Sequence, residues 1–270
     1  MASIKKTYKY LKKYEIYKDR NIEVLYKNPN VKCNETIWVC WLQGMENAPL
    51  IVKKCYESLV RNIPNQYDIV IITEENLHKY INLPEYISEK KRRGIISKTH
   101  FSDIIRTELL FLYGGCWVDA TVYFGRKIPS YMLQGEIFFP KWSVMDESLL
   151  KGSSWWIYCS KNEKIIKEVR NVLYAYWEKE NRLKNYFLFH IILSKIIDMD
   201  VQNMVTYNSM IYFNNSTPHV LYGMLELYFN FDYWQVLNSM SPIHKLSYKR
   251  NFMQGDIYNY YSALLEGKLQ

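Results

Sequence analysis

Glycine and proline are scarce in this chain of 270 residues, at 10 and 8. That scarcity argues against collagen-like repeats, low-complexity linkers and an all-β chain built on glycine-rich turns. No apolar run approaches the roughly 18–20 residues that a helix needs to cross a bilayer. The opening Met1-Ala2-Ser3-Ile4-Lys5-Lys6 leads into Tyr/Lys alternation rather than an apolar secretory core, so the expected compartment is the cytosol. Five cysteines (Cys33, Cys40, Cys55, Cys116 and Cys159) are scattered and include no C-x-x-C pair. Buried reduced thiols are expected, rather than a disulfide framework or a zinc site. Several catalytic signatures are missing too: G-x-G-x-x-G after a strand, G-x-x-x-x-G-K-[ST], H-E-x-x-H and G-x-S-x-G. Nicotinamide, P-loop, zincin and serine-hydrolase chemistries are therefore unsupported. His78, His100, His190, His219 and His244 show no metal-ligand spacing among themselves.

What remains is ordinary globular material, 49% hydrophobic and 23% charged, which excludes a disordered chain. A chain of this length can bury about three quarters of its surface. The net charge of +8 is uneven. Residues 1–32 hold nine Lys/Arg against Glu15, Asp19 and Glu23, a surplus of six. Tyr8, Leu11, Tyr14, Ile16 and Tyr17 lie between those charges at partly helical spacing. Three readings fit such a segment: a solvated helix packed through its aromatic stripe, an anchor on an anionic membrane surface, or a nucleic-acid contact. Nothing else resembles a nucleic-acid module, so no specific nucleic acid is expected.

The pattern along the chain predicts an α/β fold. Ile37–Leu42 reads as a buried strand, Ile51–Val60 as a helix started at Asn47 and Pro49, and Tyr67–Ile72 as a second strand. That β-α-β order favours a parallel sheet with a right-handed crossover. Residues 74–93 read as short helices broken at Pro84. Thr99–Tyr113 is the strongest helix, with Gly114-Gly115 as its C-cap. Cys116–Phe124 then reads as one strand, Ile137–Phe139 and Trp155–Tyr158 as short strands, and roughly 161–180 and 185–198 as helices. No linker or repeat interrupts the chain. The organisation expected is a basic N-terminal helical segment, 1–34, and one domain, 35–270, with a helical C-terminal portion.

Chemistry concentrates in Ser102-Asp103-Ile104-Ile105-Arg106 and, after the glycine pair, Cys116-Trp117-Val118-Asp119-Ala120-Thr121. Asp103 and Arg106 stand three apart, on one helix face. Asp119 lies within or at the end of an apolar strand, where a carboxylate is costly unless paired, hydrogen-bonded or metal-bound. Ligands of open α/β sheets gather at the carboxyl ends of strands, so these groups would surround one cleft. Spacing alone equally accommodates a surface Asp103–Arg106 pair and a capping Asp119.

The stretch S-D-x-x-R-x-x-L-L-x-x-Y-G-G-x-W-x-D-A-T resembles the capsular polysaccharide synthesis glycosyltransferases, relatives of the glycosyltransferase family 32 sugar transferases with a DXD motif. Four further regions resemble the same family in order. They are Ile37-Trp38 with Trp41–Pro49, Ile96–Phe101, Ser153–Ile157, and the pair Tyr174–Trp177 and Tyr186–His190. The coverage runs from about 35 to 195. The resemblance implies a GT-A-like fold, a Rossmann-like mostly parallel sheet flanked by helices. It also implies a nucleotide-sugar donor, with a UDP-sugar favoured, and transfer with retention to an oligosaccharide or lipid-linked acceptor in surface polysaccharide synthesis.

By the same resemblance, Asp103 and Arg106 match positions holding the donor sugar's hydroxyls, and Asp119 matches the first acid of the DXD. Trp41 and Gln43 match the region that holds the base. Ser102, Gly115 and Thr121 complete the donor-binding set, with Asp119, Arg106 and Asp103 as the catalytic group. Thr121 stands where the family has its second acid, and a hydroxyl is a weak ligand for Mn²⁺ or Mg²⁺. Three alternatives follow. Metal would bind through Asp119 with a later residue such as His190. Lys98 and Arg106 would instead neutralise the leaving group. Or the chain would be a non-catalytic binding or scaffolding subunit of a polysaccharide assembly complex. His190, between aromatics, reads equally as a core histidine.

Overall fold

Apolar β-formers at two places in the first third of the chain pair side by side and set the frame. The structure, a computed structural model, describes residues 2–22, 28–142, 149–252 and 258–269. Glu23 and Lys27 of the basic segment, and 143–148 of the loop after the motif, lie outside the described residues. Strands β1 (Thr36–Cys40) and β2 (Asp68–Ile72) are parallel and joined through helix α2 (Leu50–Asn62), the expected β-α-β unit. Pro49 precedes the first turn of α2, and Ile63-Pro64 ends it. Pro84 likewise precedes a helix, α3 (Glu85–Arg92), so it starts an element as well as breaking one.

Helix α4 (Lys98–Tyr113) leads into β3 (Gly115–Val118), which pairs parallel to β1 on its other side. Ser97 caps α4, its side chain accepting from the His100 N–H. At the far end Gly114 and Gly115 take φ of 69° and 88°. Gly115 also passes so close to β1 that a Cβ would run into the Thr36 carbonyl. The buried Trp38 indole donates to the Gly114 carbonyl at 2.9 Å, which satisfies an otherwise orphaned group at the helix end.

Two antiparallel neighbours complete the sheet, β6 (Trp156–Cys159) against β3 and β5 (Ile137–Phe138) against β6. The order is β2-β1-β3-β6-β5, so four strands run one way and β6 runs against them. This is the mostly parallel α/β sheet expected. Helix α4 packs on β1 and β3, helix α5 (Lys164–Lys179) packs on α4, and α6 (Leu188–Met199) packs on α5. A buried polar link joins α4 to α5: Tyr174 donates to Glu108 at 2.7 Å, with Arg170 at 3.7 Å. The N-terminal helix α1 (Ala2–Tyr10) and the 3-10 turns over Leu11–Tyr17 lie against this layer, with Leu11 and Tyr14 fully buried in the main core.

One expectation is corrected. Residues 116–124 are not a single strand. The Asp119 N–H still pairs with the Trp155 carbonyl at 2.9 Å, but the Val122 N–H turns back to the Asp119 carbonyl at 3.0 Å. That turn breaks the ladder at Asp119-Ala120-Thr121 and sends the chain into a separate ribbon. There β4 (Val122–Phe124) pairs antiparallel with β7 (Ile243–Lys245). The C-terminal portion is helical: α7 (Val201–Ser209), α8 (Val220–Met224), α9 (Phe231–Met240) and α10 (Tyr260–Leu265). Leu221, Trp234 and Leu264 from this portion join Val52 of α2 and Tyr123 of β4 in a second core.

Candidate active site

The carboxyl ends of β1 and β3 open into a cavity of about 430 Å³. Three chain segments dictate its walls. Cys40–Gln43 leave β1, Asp119–Thr121 leave β3, and Lys245–Lys249 leave β7. The first two turns of α4 supply Lys98, Thr99 and Ser102, so the helix's positive end faces the same space. Three lysines (Lys98, Lys245, Lys249) line it, against one carboxylate, Asp119, among the described residues. An anion is the ligand such a balance favours.

Asp119 is the hub. Its Oδ1 accepts from the Trp117 indole at 2.9 Å and from Arg106 Nη2 at 3.2 Å. Its Oδ2 faces Lys245 Nζ at 3.4 Å. Burial pushes the carboxyl upward, but Lys245 and then Arg106 outweigh it and hold Asp119 below the usual carboxylate range. Arg106 Nη1 also pairs with Asp103, whose carboxyl is pushed up by burial against the pull of that arginine. The pair is not a surface pair, since Arg106 is 2% exposed and Asp103 8%. The guanidinium lies between the Trp117 and Phe189 rings, at 4.7 and 5.2 Å from their centres. Asp103, Arg106 and Asp119 thus form one ion-paired chain. Only Asp119 reaches the cavity wall; Arg106 supports it from behind and Asp103 sits behind Arg106.

Trp41, Gln43, Ser102 and Thr121 also line the cavity. Trp41 meets Tyr248 edge to face, with ring centres 5.1 Å apart. Gly115 is not brought there. It lies at the opposite end of β3 from Asp119, pressed against β1, and its contribution is the backbone path. His190 does not line the cavity either. Its ring lies edge-on to Phe187 and Phe189, its Nδ1 is buried without a hydrogen-bond partner among the described residues, and burial lowers its pKa to about 3.

The block at 186–190 enters the site by another residue, Tyr186, a lining side chain whose carbonyl lies 3.2 Å from His100 Nε2. That contact ties the later block to the front of α4. Lys245, Tyr248 and Lys249 were invisible to motif reasoning, because they follow residue 200, where the resemblance ends. Their only signal is a local Lys/Arg cluster at Lys245, Lys249 and Arg250.

A divalent cation does not suit this donor set. One carboxylate is present, and both its oxygens already face cationic or N–H donors; the Thr121 hydroxyl accepts from Lys245 at 2.5 Å. Among the described residues no group of three or more His, Cys, Asp or Glu is placed to hold a metal ion.

Fold and cleft together define an α/β protein with a cationic ligand cavity at the carboxyl ends of its parallel strands. The chain belongs to the capsular polysaccharide synthesis protein family, whose profile matches residues 2–264. It is 28% identical over 102 residues to the O-glycosyltransferase PaGT of Phomopsis amygdali, covering 35% of this chain and 25% of that protein. It is 26% identical over 106 residues to the O-glycosyltransferase braB of Annulohypoxylon truncatum, covering 36% of this chain and 25% of that protein. The chain therefore spans about a quarter of the length of these curated relatives. Among solved structures it is similar to the PaToxG glycosyltransferase, at a TM-score of 0.43 and 15% identity, over 75% of this chain and 79% of that one.

Proposed function

We propose that the protein is a glycosyltransferase that moves a sugar from a nucleotide-sugar donor, favouring a UDP-sugar, to a saccharide acceptor in capsular or other surface polysaccharide synthesis. The observation that carries this reading is the single cavity in which three ammonium groups and one engaged carboxylate adjoin the half-buried Trp41 and the exposed Tyr248. The lysines suit a diphosphate, and the Trp41 and Tyr248 rings suit a base. Membership of the family and the names of the partial relatives support the same activity.

In the proposed reaction the bond between the anomeric carbon and the phosphate oxygen breaks, and its electron pair leaves with the nucleoside diphosphate. The acceptor hydroxyl oxygen bonds to that carbon on the same face, and its proton passes to the departing phosphate oxygen. Catalysis then consists of stabilising the leaving group and positioning the acceptor. Among the described residues the lining holds one carboxylate, Asp119, already engaged by cations, so the retention that the resemblance implies would run by front-face displacement within an ion pair rather than through a covalent intermediate.

Asp119 keeps the cationic side chains oriented, and Ser102 and Gln43 offer hydrogen bonds to the donor. The lysines of α1, Lys5, Lys6 and Lys9, are exposed and would hold the enzyme against an anionic membrane surface. No helix among the described residues is long and apolar enough to cross a membrane. A panel of nucleotide sugars, incubated with and without acceptor oligosaccharides, tests the proposal. Donor cleavage that falls in Asp119→Asn supports it. No turnover of any donor, together with an unaltered host glycan in Asp119→Asn, leaves the non-catalytic scaffolding role.

A further inference from the structure

Lys245 is held in its position by backbone geometry. Strand β7 pairs with β4 so that Val122 faces Lys245, and the Leu246 N–H donates to the Thr121 carbonyl at 2.9 Å. Alternation along β7 sets His244, fully buried, beside Trp234 of the second core and Lys245 on the opposite side, in the cavity lining. Its ammonium then donates to Thr121 Oγ1 at 2.5 Å and faces Asp119 Oδ2 at 3.4 Å. Those oxygens belong to the first and third positions of the Asp-Ala-Thr motif, the span over which a divalent cation would be shared if both were acids. A hydroxyl in the third position gives up the negative charge such a cation needs, yet it accepts readily from an ammonium. A second cation bound there would lie beside the lysine and be repelled by it.

We infer that the Lys245 ammonium occupies the divalent cation's place in this cavity, holding the donor's diphosphate so that donor binding and transfer proceed without metal. The inference rests on the nucleotide-sugar reading above. Lys98 and Lys249, on the same lining, bring the cavity's positive charge above the single unit that Lys245 supplies. Lys245 keeps its proton throughout. It donates hydrogen bonds to phosphate oxygens as their negative charge grows, and the leaving group carries the electron pair away.

The test is binding of UDP and GDP to the full-length chain by titration calorimetry in EDTA and in excess Mn²⁺ or Mg²⁺, with donor cleavage followed in parallel. Binding in EDTA should match binding in metal within about 3-fold, and Lys245→Met should weaken it about 30-fold, the worth of a charged hydrogen bond. Lys245→Arg, which keeps the charge and the strand, should stay within about 10-fold of wild type and guards against a folding defect in the methionine variant. Nucleotide binding or turnover that disappears in EDTA and returns with Mn²⁺ overturns the inference while leaving the transferase reading intact. Wild-type affinity in both Lys245 variants also overturns it, and reduces Lys245 to a neutraliser of Asp119. Metal-free, Lys245-dependent nucleotide binding with no donor turned over upholds Lys245 as the diphosphate's cation, removes the transfer step from the inference and defeats the transferase reading.

Discussion

Arg106 holds Asp119 from the inside of the protein, Nη2 to Oδ1 at 3.2 Å, while its other terminal nitrogen holds Asp103. One planar guanidinium therefore fixes two carboxylates that lie on different elements, α4 and the turn after β3. Lysine cannot bridge them in this way, because its single ammonium lacks the fork. Arg106→Lys should leave one acid under-paired, and Arg106→Met should strand Asp103 while Asp119 keeps Lys245 and the Trp117 indole. Breaking a buried pair from one side costs about 3–5 kcal/mol, so urea midpoints should fall sharply in Arg106→Met and by less in Arg106→Lys. Equal midpoints in all three proteins would remove the bridge from the account. Asp119→Asn keeps the volume and loses the charge; donor turnover should drop about 100-fold, the scale of losing one oriented charge at a reacting centre.

The elements that carry this bridge were legible in the sequence because each is decided locally. The apolar runs at Ile37 and Ile69, the Pro49 start, the α4 stripe and the glycine pair all report on nearest neighbours along the chain. The break at Asp119-Ala120-Thr121 was not legible. Val122-Tyr123-Phe124 continues the β-forming composition without pause, and only pairing with β7, more than a hundred residues later, pulls it off the main sheet. Lys245 escaped for the same reason. The Lys/Arg cluster around it is a weak local mark, and the meaning of Lys245 comes from the register that sets it beside Thr121. His190 shows the reverse case. A histidine among aromatics reads as a ligand or as core, and its lack of a place on the cavity wall follows from how α6 packs, which spacing does not reveal.

Gly115→Ala separates backbone from binding roles. At φ of 88° an alanine is strained, and its Cβ would strike the Thr36 carbonyl, which is backbone and cannot turn aside. The expected loss exceeds about 1 kcal/mol. Because Gly115 lies away from the cavity, the folded fraction should bind nucleotide with unchanged affinity. A stable Gly115→Ala protein with weakened binding would return this glycine to the donor site.

Trp41 and Tyr248 come from opposite ends of the chain, meet edge to face and both line the cavity. Stacking of a base on an aromatic ring contributes about 1–3 kcal/mol, or roughly 5–150-fold in affinity. Trp41→Ala should raise KM for the donor by a factor in that range. It should leave kcat within a few-fold, since the base is remote from the broken bond. Trp41→Phe should recover most of the loss. A fall in kcat at constant KM would place Trp41 next to the reacting sugar instead.

Acid should unfold this protein through histidines that are buried uncharged. Burial lowers His190 and His244 to about 3 from the usual 6.5, with nearby arginine charge adding to the effect. Below 6.5 the unfolded chain takes up protons that the folded chain refuses. Each histidine therefore removes up to about 1.4 kcal/mol per pH unit until its folded value is reached. Glu163, raised to about 7 by burial at the cap of α5, acts with the opposite sign. Its stabilisation is complete below 4.5 and is lost as pH rises through 7. It offsets one histidine between about 4.5 and 6.5. His244 makes the cleaner probe, since neither ring nitrogen has a partner among the described residues. His244→Leu should be more stable than wild type by about 1–3 kcal/mol at neutral pH, the cost of burying an unsatisfied polar ring. That advantage should widen by up to about 1.4 kcal/mol for each unit of acidification below 6.5. Urea unfolding at three pH values measures both effects, and parallel stability curves for the two proteins would mean that His244 is already charged in the fold.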